Sequence, residues 1–146
     1  MLVLLDSDVV LDFLLKRPRC FADADAIMVH LQNRRFSGFV SSITPVNAFY
    51  TCRKELGIET AFTVVKGLLR LVHVASADKA VLTRAFDLGF TDYEDAVQCA
   101  SAMAANLDAI VTRNSRDYKA SPLLVYNPAE FISLLVSEQD AAAEGS

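Results

Sequence analysis

Short apolar segments recur along this chain, and segments with helical patterns separate them. The first, Val3–Leu5, is apolar throughout and stops at Asp6, as expected for a strand that is buried on both faces of a sheet. The predicted strands are Val3–Leu5, Gly38–Val40, His73–Ala75, Ala109–Val111 and a short fifth strand near Val125. Because strands that alternate with helices form parallel sheets, the pattern predicts an α/β protein with a mainly parallel sheet covered by helices on both faces.

Residues that favour helix ends mark the segments between these strands. Helices are predicted over about 7–15, 21–31, 44–57, 59–71, 76–88 and 91–105, and from 128 onward. Ser7, Ser76 and Thr44, the last of which precedes a proline, are expected to cap three of these helices. Thr91 and Glu94 have the spacing of a capping box at the start of a fourth.

The length and composition indicate one folded domain. A chain of 146 residues is that of one ordinary domain, and apolar segments recur evenly up to about residue 136. The composition, 53% hydrophobic and 22% charged, excludes the class of highly charged disordered chains. We expect one domain over residues 1–136. Residues 137–146 are polar and small, and we expect them to fray or to be disordered.

Three further observations limit the classes of function. No apolar run approaches the roughly 20 residues of a membrane span, and the opening segment lacks the basic residues of a signal peptide, so we expect a cytoplasmic protein with no membrane partner. Cys20, Cys52 and Cys99 form no CxxC pattern, which predicts reduced thiols. The net charge of -4 argues against binding nucleic acid through bulk electrostatics, so such contacts are expected to be local.

Polar residues follow the predicted strands. Asp6 comes directly after the first strand, and Asn114 and Asp117 follow the fourth. Asp92 and Asp95 share one face of a helix; Asp95 stands beyond the expected first-turn positions and opens a run of small residues that favours burial. Since ligands of open α/β sheets bind at the carboxyl ends of the strands, these side chains are expected to converge. Oxygen ligands from separate elements suit Mg²⁺, and one or two such ions can activate a water against a phosphodiester.

Each of these acids also has a structural interpretation. Asp8 and Asp92 are favourable near the positive N-terminus of a helix whatever the function. Asn47 lies near a helix start, where it could help the cap, and Glu94 is explained as a capping-box partner. An acid such as Asp6, placed directly after a buried strand, needs a partner, and the structural alternative to a metal ion is a salt bridge to an arginine.

Positive charge follows the fourth strand, in residues 113–117. Arg113 and Arg116 could each hold a phosphate beside the acidic residues, because a guanidinium group binds phosphate through two hydrogen bonds. Four other arginines either extend this basic track or are ordinary solvated charges: Arg17, Arg19, Arg34 and Arg35.

Four segments, taken in order, resemble the PIN-domain family, and more closely its bacterial branch related to VapC-like toxins. They are LLDSDVVLD, SSITPVNAFY, DYEDAVQCASA and VTRNSRDY, and the likeness extends over residues 2–131. The resemblance implies a three-layer α/β/α fold and cleavage of RNA that depends on Mg²⁺ or Mn²⁺, often by the toxin of a toxin-antitoxin pair. By position, Asp6 resembles the family's first acid, Asp95 its third, and Asn114 and Asp117 its fourth region.

The chain departs from the family pattern at two places. Most members have Asn in an opening Asp-Thr-Asn, whereas this chain has Ser7 and Asp8, which keeps a polar group and adds charge. Most have a second acid after the second strand, whereas this chain has Asn47, whose amide can ligate a metal ion but cannot neutralise it. We expect weaker metal binding unless Asp8 or Asp92 compensates.

These observations give three sets of candidate residues. The predicted catalytic residues are Asp6, Asp92, Asp95 and Asp117. The predicted metal ligands are Asp6, Asp8, Asp92, Asp95 and Asp117. The predicted substrate contacts are Ser7, Asn47, Arg113, Asn114 and Arg116.

Three functions are compatible with this pattern. The first is an endoribonuclease that uses Mg²⁺ or Mn²⁺ to activate water, with Asp6 and Asp95 as primary ligands. The second is a catalytically weak PIN-like module that binds RNA or a protein. The third is a phosphatase of small esters, to which the Asp6-Ser7-Asp8 sequence is superficially suited, but the match over the later segments favours the first two. Expected partners are RNA, an antitoxin protein and, from the apolar helix at 61–72, a second copy of the chain.

Overall fold

One parallel sheet forms the centre of the protein, whose computed structural model describes residues 1–145. The strands are β1 (Leu2–Leu5), β2 (Ser37–Ser41), β3 (His73–Ala75), β4 (Ala109–Val111) and β5 (Leu124–Tyr126). Their order across the sheet is β3-β2-β1-β4-β5, and every neighbouring pair is parallel. The predicted α/β fold is therefore confirmed, and in the described residues the sheet is parallel throughout.

Helices follow β1, β2, β3 and β5, and a 3-10 turn follows β4. The helices are α1 (Ser7–Leu14), α2 (Phe21–Gln32), α3 (Ile43–Leu56), α4 (Ile58–Leu71), α5 (Lys79–Arg84), α6 (Tyr93–Ala104) and α7 (Pro128–Glu144), with 3-10 turns at Ala85–Asp87 and Ser115–Tyr118. Within residues 1–145, no helix combines the length and apolarity that a membrane crossing requires.

The central strand β1 divides two hydrophobic cores between its faces. Val3 and Leu5 point to one face, where they join a cluster that includes Phe131 of α7 and residues of α1 and α2. Leu4 points to the other face and packs in a cluster that includes Cys99 of α6. Because both faces of β1 are covered, its sequence is apolar without alternation, and the expected three layers are present.

The carboxyl ends of β1 and β4 lie side by side. Leu5 pairs in register with Val111, and the Asp6 backbone amide donates to the Val111 carbonyl at 3.0 Å. The next residues of the two strands, Asp6 and Thr112, therefore leave the sheet as neighbours. This edge, with α6 packed across β1 and β4, carries the candidate site.

The starts of α1 and α5 differ from the sequence predictions. Asp6, with extended backbone, caps α1 by accepting from the Ser7 amide at 2.7 Å, so Ser7 is not the cap. Asp78 caps α5 by accepting from the Val81 amide at 3.0 Å, two residues after the predicted Ser76. Aspartate caps as well as serine does, and the residue that leaves the preceding segment in an extended conformation takes the role.

The starts of α3 and α6 also differ. Thr44 lies inside α3, and its hydroxyl accepts a hydrogen bond from Gln98 instead of capping the helix. The predicted capping box of Thr91 and Glu94 is wrong, because Asp92 caps α6 by accepting from the Asp95 amide at 2.9 Å. Asp95 consequently lies in the first turn of α6 and not beyond it.

The last helix continues through most of the segment that was expected to fray. Asn127 and Glu130 form a capping box at its start, and α7 runs to Glu144. Residues 137–144 are helical in the structure, and alanine and glutamate favour a helix even where, as here, the side chains are exposed. The last residue of that predicted tail, 146, lies outside the described residues.

Candidate active site

Asp6 is a buried carboxylate at the end of β1, with 4% of its surface exposed. Its Oδ1 accepts from the Ser7 amide at 2.7 Å, and its Oδ2 accepts from the Thr112 hydroxyl at 2.8 Å. Burial raises the pKa of Asp6, and these two bonds lower it in part. The structural alternative for Asp6 is wrong: the ion pairs of residues 1–145 join Asp12 to two arginines and do not include Asp6.

Asp8, in the first turn of α1, faces the segment that follows β4. Its Oδ2 accepts from the Arg113 backbone amide at 3.0 Å, from the Thr112 hydroxyl at 3.3 Å and from the Asn114 side chain at 3.4 Å. Burial and the charge of Asp6 raise the pKa of Asp8 to about 6. Its Oδ1 is buried and has no hydrogen-bond partner among the described residues. Asp8 is therefore part of the acidic cluster and does more than stabilise a helix start.

Asp95 brings the third carboxylate to this edge from α6. Its Oδ1 lies 3.4 Å from the Tyr118 hydroxyl, which donates to it. Burial, followed by the charges of Asp6, Asp92 and Asp117, raises the pKa of Asp95 to about 7. Asp6, Asp8 and Asp95 are hereafter the acidic cluster: the first two follow β1, and the third begins α6. The charge of Asp6 disfavours the ionised forms of both Asp8 and Asp95.

Tyr118 is a residue of the site that sequence reasoning missed. It is buried, with 2% of its surface exposed, and packs edge to face against Phe90. Burial and the charges of Asp6 and Asp95 raise the pKa of the phenol, so Tyr118 stays protonated and donates. Its position one residue after Asp117 gave no signal, because a tyrosine in an apolar cluster is ordinary core composition.

A buried polar network joins α1, α3 and α6 beside the acidic cluster. The side-chain amide of Gln98, which is fully buried, donates to the hydroxyls of Ser7 and Thr44 at 3.0 Å each. These two hydroxyls lie 3.3 Å apart. Gln98 Oε1 has no partner among the described residues. Ser7, predicted as a substrate contact, has its hydroxyl in this network. Neither Gln98 nor Thr44 was predicted from the sequence to be part of the site.

Several other predicted residues lie at the margin of the cluster. Asn47 is exposed on α3, one turn after Thr44, and among residues 1–145 its side chain makes no hydrogen bond to the acidic cluster. Asp92 is exposed and serves as the cap of α6. Asp117 is exposed in the 3-10 turn after β4, where its amide donates to the Asn114 carbonyl at 2.9 Å.

The two arginines of the segment after β4 differ in environment. The Arg113 guanidinium is bound to the buried carboxylate of Asp12, with Nε donating to Oδ2 at 2.5 Å and Nη2 donating to Oδ1 at 3.3 Å. Arg116 is exposed. The structure thus engages Arg113 with a carboxylate, a partner that the sequence analysis did not consider, and leaves Arg116 facing solvent.

The acidic cluster fits a divalent cation in charge and in chemistry. Its donors are carboxylate oxygens, as Mg²⁺ and Mn²⁺ prefer, and in the described residues no lysine or arginine pairs with Asp6 or Asp95. The unpartnered Oδ1 of Asp8 is a free ligand atom. Over residues 1–145, no three His, Cys, Asp or Glu side chains are already grouped as a metal site. Support for a cation therefore comes from the chemistry of these donors.

Comparison with known families identifies the family of this chain. The family described as the PIN domain matches residues 2–116, and the chain belongs to that family. PIN domains are typically ribonucleases, and PIN nucleases typically use divalent metals. No curated protein matches the chain significantly.

Solved structures of VapC-type proteins share the fold at low sequence identity. DNA-bound VapBC from Salmonella typhimurium matches with a TM-score of 0.69 and 20% identity, covering 88% of this chain and 99% of that one. VapBC2 from Rickettsia felis, bound to a promoter DNA fragment, matches with 0.67 and 18%, covering 87% and 98%. VapC20 of Mycobacterium tuberculosis, a toxin that cleaves the sarcin-ricin loop, matches with 0.60 and 10%, covering 74% and 86%. At these identities the likeness establishes the fold.

Proposed function

We propose that this protein is an endoribonuclease that hydrolyses RNA phosphodiesters with the help of Mg²⁺ or Mn²⁺. The observation that carries the proposal is the acidic cluster: three carboxylates with raised pKa values meet at the carboxyl edge of a PIN-domain sheet, and in the described residues no lysine or arginine forms an ion pair with them. Such a cluster repels phosphate until a cation reverses the local charge. A bound divalent ion supplies charge neutralisation and an activated water for attack on phosphorus.

The residues of the site have different roles in this proposal. Asp6 and Asp95 hold the cation directly, and Asp8 contributes its unpartnered oxygen. Thr112 and Tyr118 fix the orientation of these carboxylates through their hydroxyl groups. Asp92 and Asp117 lie further out and add negative charge that strengthens the attraction for a cation.

RNA contacts come from exposed residues around the cluster. Arg116 lies in the 3-10 turn that also carries Asp117, so its guanidinium can reach a phosphate next to the acids. Asn114 is exposed beside Asp8 and Asn47 is exposed on α3, and both are polar contacts available to the substrate. We propose unpaired RNA as the substrate class, because bases in loops and single strands are accessible whereas the major groove of an RNA helix is narrow.

We further propose that the enzyme is the toxin of a toxin-antitoxin pair. The structures from Salmonella typhimurium and Rickettsia felis are of VapBC complexes bound to DNA. Their likeness to this chain supports a protein partner for it. The chain also carries an exposed apolar groove of about 380 Å³ between α3 and α4, lined by residues that include Phe49, Tyr50 and Phe62. A surface of this kind favours a protein partner.

The test is cleavage of a panel of single-stranded and hairpin RNAs by purified protein with Mn²⁺, with Mg²⁺ and with chelator. We expect cleavage only with a metal ion, and loss of both cleavage and calorimetric Mn²⁺ binding in Asp6→Asn and Asp95→Asn. Glu94→Gln is the matched control, because Glu94 is an exposed acid of the same helical turn as Asp95.

Two results would contradict the proposal and identify its replacement. A metal-loaded protein that binds RNA but leaves the whole panel uncut is the catalytically weak binding module. Hydrolysis of phosphate monoesters without hydrolysis of RNA identifies the phosphatase. Equal activity of Asp6→Asn and the parent would mean that the observed cleavage comes from a contaminating nuclease.

A further inference from the structure

An ion pair between a buried aspartate and a partly exposed arginine lies next to the acidic cluster. Asp12 is 1% exposed, although aspartate is seldom buried without a specific partner. Its carboxylate binds Arg113 through two hydrogen bonds and Arg17 through a single contact of 3.5 Å. Of these two arginines, Arg113 follows β4 directly after Thr112, and Arg17 lies in the connection after α1.

We propose that Asp12 and Arg113 are positioning residues. They hold Asp8 and Thr112 in place, so that the carboxylates of the acidic cluster keep their orientation. The inference rests on the proposed function and deepens it. Asp12 acts through Arg113, and neither side chain touches the cation or the RNA in this role.

The first argument is the spacing of the two acids on α1. Asp8 and Asp12 are four residues apart, so their side chains lie on the same face of the helix. Arg113 binds both of them: its guanidinium binds Asp12, and its backbone amide donates to Asp8 at 3.0 Å. One residue of the β4 segment is therefore fixed to α1 at two successive turns.

The second argument is the position of Thr112 between fixed points. Its amide donates to the Tyr126 carbonyl of β5 at 3.0 Å, which anchors it to the sheet. Its hydroxyl faces Asp6 at 2.8 Å and Asp8 at 3.3 Å. If the Arg113 side chain is released from Asp12, the backbone after Thr112 keeps only one of its two attachments to α1, the amide bond to Asp8, and we expect both of these hydroxyl contacts to loosen.

The third argument is the chemistry of the pair. Burial of the Asp12 carboxylate is costly, so an ion pair of this kind contributes little net stability compared with apolar residues of similar volume. Two parallel N–H bonds to a carboxylate, however, fix direction in a way that apolar packing does not. A positioning role explains why an ion pair, and not apolar packing, joins α1 to the segment after β4.

The positioning role and the phosphate-binding role considered for Arg113 predict opposite results. If Arg113 binds phosphate, its loss weakens RNA binding and leaves metal binding unchanged. If it positions the site, its loss weakens metal binding. Arg17→Ala is the matched control, because Arg17 contacts the same Asp12 carboxylate but is not bonded to Asp8 or Thr112.

The experiment compares Mn²⁺ binding by calorimetry in the parent, Arg113→Gln, Arg113→Lys, Asp12→Asn and Arg17→Ala. We expect Mn²⁺ affinity to fall about 10-fold or more in Arg113→Gln and Asp12→Asn. It should fall less in Arg113→Lys, which keeps the charge but not the two-bond geometry. It should stay at the parent value in Arg17→Ala. If Asp12→Asn fails to fold, Arg113→Gln and Arg113→Lys still test the proposal, because Arg113 is an exposed residue. Folded Arg113→Gln with the parent affinity overturns the proposal.

A second measurement needs no metal and separates this inference from the proposed function. In NMR spectra of the metal-free protein, the amide proton of residue 113 reports its bond to the Asp8 carboxylate. We expect this resonance to move upfield in Arg113→Lys and Arg113→Gln and to remain in place in Arg17→Ala. An unchanged resonance overturns the positioning role. A parent that binds no Mn²⁺ while the resonance shifts as expected overturns the proposed function and leaves the positioning geometry supported.

Discussion

The Thr112 hydroxyl donates to Asp6 Oδ2 at 2.8 Å, although the two residues are 106 positions apart in the chain. The bond exists because β1 and β4 are parallel neighbours, with Leu5 opposite Val111, so that the residues after each strand meet. Thr112 is fully buried and also reaches Asp8 at 3.3 Å. A neutral side chain therefore connects two of the three carboxylates.

Replacing Thr112 with valine tests this connection. Thr112→Val keeps the shape of the side chain but leaves the buried Asp6 oxygen without a donor, so we expect the metal-free protein to lose about 1–3 kcal/mol in free energy of unfolding. Denaturant titration measures this loss. Thr112→Ser, which keeps the hydroxyl, is the control and should lie closer to the parent. Equal stability of the valine variant and the parent would show that water replaces the hydroxyl.

The raised pKa values predict how stability depends on pH in the metal-free protein. Folding raises the pKa of Asp8 from 3.8 to about 6 and that of Asp95 from 3.8 to about 7, so the folded state binds protons more tightly than the unfolded state does. The stability that these groups contribute is present in full below about pH 4 and is lost as the pH rises through 6 and 7. We expect urea midpoints to fall over this range.

Two controls accompany the pH measurement. Asp95→Asn removes one of the titrating groups, so its urea midpoint should fall less between pH 5 and pH 8 than that of the parent. Saturating Mg²⁺ should restore stability at pH 8, because a ligand that binds only the folded state stabilises it. A parent whose midpoint rises steadily from pH 5 to pH 8 without metal would contradict the prediction.

The fold could be predicted because its main determinants are local. The run Val3–Leu5 is buried on both faces, and such a strand has a continuous apolar sequence that is visible without any partner. Asp6 was predicted for the same reason, since an acid directly after a buried strand requires compensation. Helix caps were less predictable, because Asp6, Ser7, Thr91 and Asp92 all have capping side chains and only the backbone conformation decides between them.

The rest of the site depends on contacts between distant parts of the chain. Tyr118 and Gln98 are neutral and belong to no motif, so nothing in their own segments distinguishes them from core residues. The pair of Asp12 and Arg113 spans 101 positions: Arg113 was predicted as a substrate contact, and nothing in the sequence connected it with Asp12. These residues become identifiable only when the sheet order places β4 beside β1.

The apolar face of α3 and α4 predicts self-association. Tyr50 is 60% exposed and Phe62 is 61% exposed on this face, which is unusual for large apolar side chains of a monomer. We expect a dimer by light scattering at about 50 µM protein, and a shift to monomer in Phe62→Ser. Phe86→Ser is the control, because Phe86 is an exposed phenylalanine outside this face. A parent that is monomeric at that concentration would contradict self-association and would favour an antitoxin as the partner of this face.

The last prediction concerns Asn47, at the position that the family resemblance assigns to a second acid. Asn47 lies on α3 one turn after Thr44, and the Thr44 hydroxyl is bonded to Gln98 beside the acidic cluster, so the two residues share the face of α3 that is nearest to the cluster. If Asn47 takes part in the site, Asn47→Asp or Asn47→Glu adds ligand charge, and the calorimetric dissociation constant for Mn²⁺ should fall several-fold.

The matched control for Asn47 is a carboxylate on the same face of the helix, one turn further from Thr44. Thr51→Glu adds the same charge there, at a residue whose hydroxyl donates to the Asn47 carbonyl. Since long-range attraction affects both variants and direct ligation affects only Asn47→Asp and Asn47→Glu, a several-fold gain in Mn²⁺ affinity confined to position 47 identifies a ligand. Equal small gains at both positions would mean that Asn47 contributes only to α3 and that Asp6, Asp8 and Asp95 hold the cation without it.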